Sequence, residues 1–161
     1  TEHISRHPRA RVVLTRPIVA ADEDMGYLPG DMDQKMEPWT RPMYDIFEQS
    51  MTHNQMDRCI SIEPLGYMRG RTFHHTLIIA DEMQNSTPNQ MKLLLTRIGE
   101  GTKIIVTGDL EQSDLEGDNG LENLVYKMQC TELDYIQHVE MGDDDIVRHP
   151  AVKEVLGILS K

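Results

Sequence analysis

Several absences narrow what this chain can be. It has two cysteines in 161 residues, Cys59 and Cys130. Two thiols cannot build a disulfide framework, and their spacing fits no zinc motif. Free thiols in a reducing cytoplasm are the expectation. No apolar stretch approaches the roughly 18 residues of a membrane span, and the polar N-terminus has no signal-peptide apolar region. A cytoplasmic protein with no membrane partner is therefore expected. Basic side chains are also scarce: 16 Lys and Arg stand against 27 Asp and Glu, a formal net charge of −11. That balance argues against a whole-surface nucleic-acid face and leaves room for a local basic groove. Arg69 and Arg71 lie close together, as do Arg6, Arg9, Arg11 and Arg16. The most telling absence is a phosphate loop, Gly-x-x-x-x-Gly-Lys-Ser/Thr, because no lysine here follows a glycine.

What is present fits one globular domain spanning residues 1–161, with 39% apolar residues and enough length for a real core. The 11 methionines read as flexible core filler. Strands are expected at Arg11–Thr15, Cys59–Glu63, Thr76–Ala80, Lys103–Thr107 and Tyr135–Glu140. The central ones are near-continuous apolar runs, as parallel strands covered on both faces require. Between them lie helical signals. Thr87 can cap a helix, Pro88 suits its first position and Gln90 completes a capping box. Met91, Leu94, Leu95 and Ile98 then share one helical face, and Gly99 stops the helix. Leu121, Leu124, Val125 and Met128 repeat that spacing, as do Val152, Val155, Leu156 and Leu159. Pro42 starts a further helix carrying Met43, Ile46 and Phe47. The stretch from Ile18 to Arg41 reads as a long ordered loop. Strands alternating with helices predict an α/β fold with a mostly parallel sheet.

The chemistry concentrates at two strand ends. Residues Leu77 to Asn85 form an apolar run that ends in Asp81-Glu82. Lys103 to Asp109 is a second such run, ending in Gly108-Asp109 with Gln112 three residues on. Parallel strands deliver their functional groups at their carboxyl ends, so these residues point to one shared site. Magnesium prefers oxygen ligands and needs few protein carboxylates, which suits Asp81. Successive strand residues point to opposite faces, so Glu82 at the turn can aim at an attacking water while Asp81 faces a metal. Gln112 suits a water-orienting or γ-phosphate-sensing group, with Asp109 supporting it or the metal shell. Each pair taken alone also fits an ordinary turn, since Gly-Asp is a favoured turn pair. His74-His75 lacks partners at ligand spacing and reads as an exposed turn.

The nearest phosphate-loop mimic, Gly66 to Thr72, has one residue too few between its glycines, Arg in place of Lys, and a strand after it where a helix is required. A strand, phosphate loop and helix need about 30 residues, and only ten residues precede Arg11. The expectation is a chain incomplete at its N-terminus, with a degenerate relative as the alternative.

These segments, in order, resemble the PhoH family, ATP-binding proteins similar to the ATPase domains of superfamily-one helicases. The likeness runs through Val12-Val-Leu-Thr-Arg-Pro17, Met25 to Asp31, Arg41 to Asp45, and Pro64-Leu-Gly-Tyr-Met-Arg-Gly-Arg-Thr72. It continues through Ile78 to Asn85, Gln90-Met-Lys92, Leu95 to Gly99, Val106-Thr-Gly-Asp109 with Gln112, and Ile146-Val-Arg-His-Pro150. The resemblance implies a three-layer α/β sandwich with a RecA/P-loop-like sheet, here lacking the phosphate-loop (Walker A) unit. It implies ATP and Mg2+ as ligands. Asp81 matches the magnesium ligand, Glu82 the catalytic base, and Asp109 and Gln112 the γ-phosphate-sensing motif. Arg16 lies in a segment similar to one that contacts nucleic acid in helicases. Arg148 points at phosphates, from a neighbouring subunit of a homo-oligomeric ring, or else makes a surface salt bridge or helix-start contact. Arg69 and Arg71 line the nucleotide or an RNA groove, or else pair structurally with acidic side chains. Acidity and methionine content look like phage-borne members.

Two functions follow from this reading. The first is Mg-dependent nucleoside triphosphate hydrolysis in the intact protein, coupled to remodelling of single-stranded RNA, with this chain alone inactive for want of the phosphate loop. The second is a non-catalytic RNA-binding or oligomerisation module.

Overall fold

The computed structural model describes residues 11–17, 41–142, 145, 147 and 149–159. The expected loop from Ile18 to Arg41 and the role given to Arg148 lie outside the described residues. Strand β1, Arg11–Thr15, is buried at four of its five positions. Such a strand can satisfy its backbone only between two others. It pairs in parallel with β2, Ile60–Ile62, on one side and with β3, Thr76–Ala80, on the other. Strand β4, Lys103–Val106, pairs in parallel with β3, giving the order β2-β1-β3-β4. All pairings are parallel, as the unbroken apolar runs require.

Helices cover both faces of the sheet. On one face Val13, Ile78 and Ala80 pack against Met91 and Leu94 of helix α3, Pro88–Leu95, and Leu121 of helix α4, Gly120–Gln129. On the other, Val12 and Leu14 pack against Met56 of helix α2, His53–Cys59, and against Met43 and Phe47 of helix α1, residues 41–48. The result is an α/β fold on a parallel sheet, as the alternating pattern predicts, in the three-layer sandwich that the family resemblance implies. Burial of a wholly enclosed side chain such as Ile78, 0% exposed, stabilises by roughly 2–3 kcal/mol.

The caps follow the sequence closely. Thr87 Oγ1 accepts from the Gln90 N–H, and Gln90 Oε1 accepts from the Thr87 N–H, closing the capping box of α3. Asn119 Oδ1 accepts from the N–H groups of Leu121 and Glu122 at the start of α4. His149 Nδ1 accepts from the Ala151 N–H at the start of helix α5, Pro150–Leu159.

Two expectations are corrected. Residues Tyr135–Glu140 form no strand. A strand needs a neighbour for its backbone groups, and among the described residues none lies beside this run, whose Tyr135 is 97% exposed. Helix α3 stops at Leu95, before Ile98. Ile98 instead bridges Phe73 in parallel, and the Phe73 carbonyl accepts from the Gly99 N–H at 2.8 Å. Tertiary pairing thus claims the last turn of the helical pattern.

Candidate functional site

The strand register brings the polar ends together. Thr15, Ala80 and Val106 are aligned across β1, β3 and β4. The next residues, Arg16, Asp81 and Thr107, therefore share one carboxyl rim. The Asp81 N–H donates to the Thr15 carbonyl at 3.0 Å, and the Thr107 N–H donates to the Ala80 carbonyl at 2.9 Å. The Thr107 hydroxyl donates to Asp81 Oδ1 at 2.5 Å. One carboxylate oxygen of Asp81 is thereby oriented by the neighbouring strand.

Glu82 leaves the strand in the left-handed region, at φ +54° and ψ +34°. An L-residue there costs about 1 kcal/mol or more. The turn that follows, Met83–Asn85, is wholly buried and repays the local strain with tertiary bonds. The Met83 N–H donates to the Thr107 carbonyl. Gln84 Nε2 donates to Glu82 Oε2 at 2.6 Å, and Gln84 Oε1 accepts from the Asp109 N–H at 3.2 Å.

After β4 the chain turns through Leu110–Gln112. Asp109 caps that turn, with Oδ1 accepting from the Glu111 N–H, while Oδ2 accepts from Gln112 Nε2 at 2.6 Å. The loop beyond is fastened back to the first strand end. Ser113 Oγ donates to the Gln84 carbonyl, the Asp114 N–H donates to Asn85 Oδ1, and Asn119 Nδ2 donates to Ser113 Oγ. Asp81, Glu82, Asp109 and Gln112 thus form one connected cluster, linked through Thr107 and Gln84.

The arginines are distributed differently. Arg16 is half-buried on the same rim, one strand from Asp81. Arg69 is exposed beyond the short turn Leu65–Met68. Arg71 donates to Glu63 Oε2 at 2.6 Å and stacks over the Phe73 ring at 4.7 Å. Glu63 follows β2, two places from β3 in the sheet, a lateral offset of about 10 Å. The structure places Arg71 in that pairing and not within the Asp81 cluster.

Sequence reasoning missed Gln84 and Thr107. The signal for Gln84 was a polar residue inside an otherwise apolar turn. For Thr107 it was a hydroxyl closing an apolar strand at the same register as Asp81. Thr15 was missed too. Its Oγ1 is the sole buried side-chain polar atom without a hydrogen-bond partner among the described residues, at a strand end that touches Asp81.

The donor set fits magnesium. Among the described residues no three His, Cys, Asp or Glu side chains converge on one metal position, and both Asp109 oxygens already accept hydrogen bonds. The fit therefore rests on Asp81 beside the Thr107 hydroxyl, and the ion needs only one or two protein oxygens beside phosphate and water. A groove of about 440 Å³ runs between Leu110 and the Asn119–Tyr126 side of α4 and does not include Asp81 or Glu82.

A parallel sheet covered on both faces, with acids gathered on its carboxyl rim, has the architecture of RecA-like, phosphate-loop α/β proteins. The family model described as PhoH-like protein matches residues 2–160, and the chain belongs to that family. It is 42% identical to a PhoH-like protein of Bacillus subtilis over 156 residues, covering 94% of this chain and 49% of that protein. It is 42% identical over 153 residues to a PhoH-like protein of Synechocystis, covering 91% and 46%. It is 39% identical over 155 residues to Protein PhoH of Escherichia coli, covering 91% and 43%. The chain spans about half the length of the curated relatives it matches.

Proposed function

We propose that this chain is the metal- and water-handling part of an ATP-hydrolysing PhoH-like protein, whose phosphate loop is supplied by polypeptide outside these 161 residues. The observation that carries the reading is the connected cluster of Asp81, Glu82, Asp109 and Gln112 on one rim. Asp81 holds Mg2+, directly or through water, with its carboxylate turned by Thr107. The ion would supply charge neutralisation at the phosphate oxygens. Glu82 accepts the proton of the attacking water. Gln112, held by Asp109, orients that water or contacts the γ-phosphate. Hydrolysis of this kind depends on positioning and charge more than on covalent chemistry, and positioning is what the network provides.

The outer edge of β4 supports a docking place for the phosphate-loop unit. Among the described residues no strand pairs there, although parallel sheets are ordinarily enclosed. Ile105 on β4, Leu110 beside it and Tyr126 on α4 are exposed apolar side chains. A parallel strand added at that edge would bring its own carboxyl-end loop next to Asp109. The unpartnered Thr15 hydroxyl is a further polar group on the rim that a group from outside could satisfy. Coupling to single-stranded RNA rests on the position of Arg16, one strand from Asp81 on the same rim.

The test joins the chain to the sequence encoded upstream of Thr1 and measures magnesium-dependent ATP hydrolysis. Glu82→Gln should lower turnover by about 100-fold or more. Equal turnover would remove Glu82 as the base. Salt-sensitive binding of single-stranded RNA without any hydrolysis would favour the non-catalytic module.

A further inference from the structure

Gln84 is 1% exposed, and a buried carboxamide must find partners at both ends. It has them. Nε2 donates to Glu82 Oε2 at 2.6 Å and lies 3.5 Å from the Gln112 carbonyl, while Oε1 accepts from the Asp109 N–H at 3.2 Å. The amide can sit only one way round. A carboxylate only accepts and a backbone N–H only donates, so the flipped group would set oxygen against oxygen and hydrogen against hydrogen. Packing fixes it further. A Cβ on Gly108 would lie 2.6 Å from Oε1, so that glycine lets the second strand end close onto the amide. Ser113 Oγ holds the Gln84 carbonyl at 3.0 Å.

One rigid planar group therefore touches two parts that come from different strand ends. Glu82 belongs to the turn after β3, and Asp109 opens the turn that carries Gln112. We infer that Gln84 is a positioning residue that ties the orientation of the Glu82 carboxylate to the position of the Asp109–Gln112 turn. The inference rests on the hydrolytic reading above. A displacement of the turn moves the Asp109 N–H, the amide follows through Oε1, and Nε2 carries the change to Glu82. The water-activating carboxylate is in this way set by the group that meets the γ-phosphate, and not by its own half-buried side chain alone.

The experiment uses the chain joined to its upstream sequence, with two substitutions. Gln84→Met keeps the volume and removes both bonds. Gln84→Glu keeps an acceptor for the Asp109 N–H and replaces the donor facing Glu82 by a second carboxylate. Each should lower kcat by about 10- to 100-fold, with the Kd for a fluorescent ATP analogue changed by less than about threefold. In a Glu82→Gln background, adding Gln84→Met should change turnover by less than about twofold, because the two residues act as a unit. A merely structural role would instead weaken nucleotide binding and lower the turnover of Glu82→Gln further. Parent-like kcat in both Gln84 variants, or a further drop in the double variant, overturns the role of Gln84 and leaves hydrolysis standing. No hydrolysis by the parent protein overturns both.

Discussion

The hydroxyl of Thr107 donates to Oδ1 of Asp81 at 2.5 Å, across a sequence separation of 26 residues. The bond joins the end of β4 to the end of β3 and fixes one oxygen of the carboxylate. Groups that orient a metal-binding carboxylate typically account for about 10- to 100-fold in affinity or activity. In the chain joined to its upstream sequence, Thr107→Val should therefore lower magnesium-dependent hydrolysis about tenfold and raise the magnesium needed for half-maximal rate. A magnesium titration of turnover checks this, and an unchanged titration curve would detach Thr107 from the site.

Gly108 is required by its neighbours. A Cβ there would lie 2.6 Å from Gln84 Oε1, 2.7 Å from Leu121 Cδ2 and 3.0 Å from the Gln84 backbone nitrogen. The backbone nitrogen cannot yield as a flexible side chain can. Gly108→Ala should destabilise by about 1–3 kcal/mol, read from the urea unfolding midpoint. A shift below about 0.5 kcal/mol would mean that the two strand ends are not packed this closely.

Glu82 holds its left-handed conformation against its intrinsic preference. Glu82→Ala and Glu82→Gly both lose the bond from Gln84, so their difference isolates the backbone. Glycine should be the more stable of the two by about 0.5–1 kcal/mol, the left-handed penalty less the entropy of glycine. Thermal unfolding of the pair settles the sign. A more stable alanine variant would show that the turn relaxes when the carboxylate is removed.

The two caps differ in what else they hold. Thr87 serves only the start of α3, and Thr87→Ala should cost about 1 kcal/mol. Asn119 caps α4 and also donates to Ser113 Oγ, which itself binds the Gln84 carbonyl. Asn119→Ala should cost more, about 1–2 kcal/mol. It should also lower hydrolysis in the extended chain, whereas Thr87→Ala should not. Equal effects in both assays would disconnect the 113–119 loop from the site.

The outer edge of β4, which no strand pairs among the described residues, predicts a change in backbone protection. Joining the upstream sequence should slow amide hydrogen exchange within Lys103–Val106 by about tenfold or more, as new ladder bonds form. Exchange that stays the same with and without that segment would rule out this edge as its docking place.

Much of this was legible in the sequence. Apolar runs at Arg11–Thr15 and Thr76–Ala80 specify buried parallel strands because alternation would be needed for any strand facing water on one side. The Thr87-Pro88-x-Gln90 signature specifies a helix start because its groups satisfy one another locally. Local rules failed where the outcome depended on a distant neighbour. Tyr135–Glu140 has strand-like composition and lies beside no described strand. Ile98 fits the face of α3, yet its backbone bridges Phe73. Gln84 looks like a polar spacer after two acids until Asp109, 25 residues later, is brought against it.

The order of residues alone determined that Asp81 and Asp109 would each stand beyond the carboxyl end of an apolar strand, since hydrophobic periodicity and turn chemistry are local properties. Which strands are neighbours, and at what register, was decided by packing on both faces of the sheet. Only that choice put Ala80 level with Val106 and so converted two separate acidic turns into one hydrogen-bonded rim.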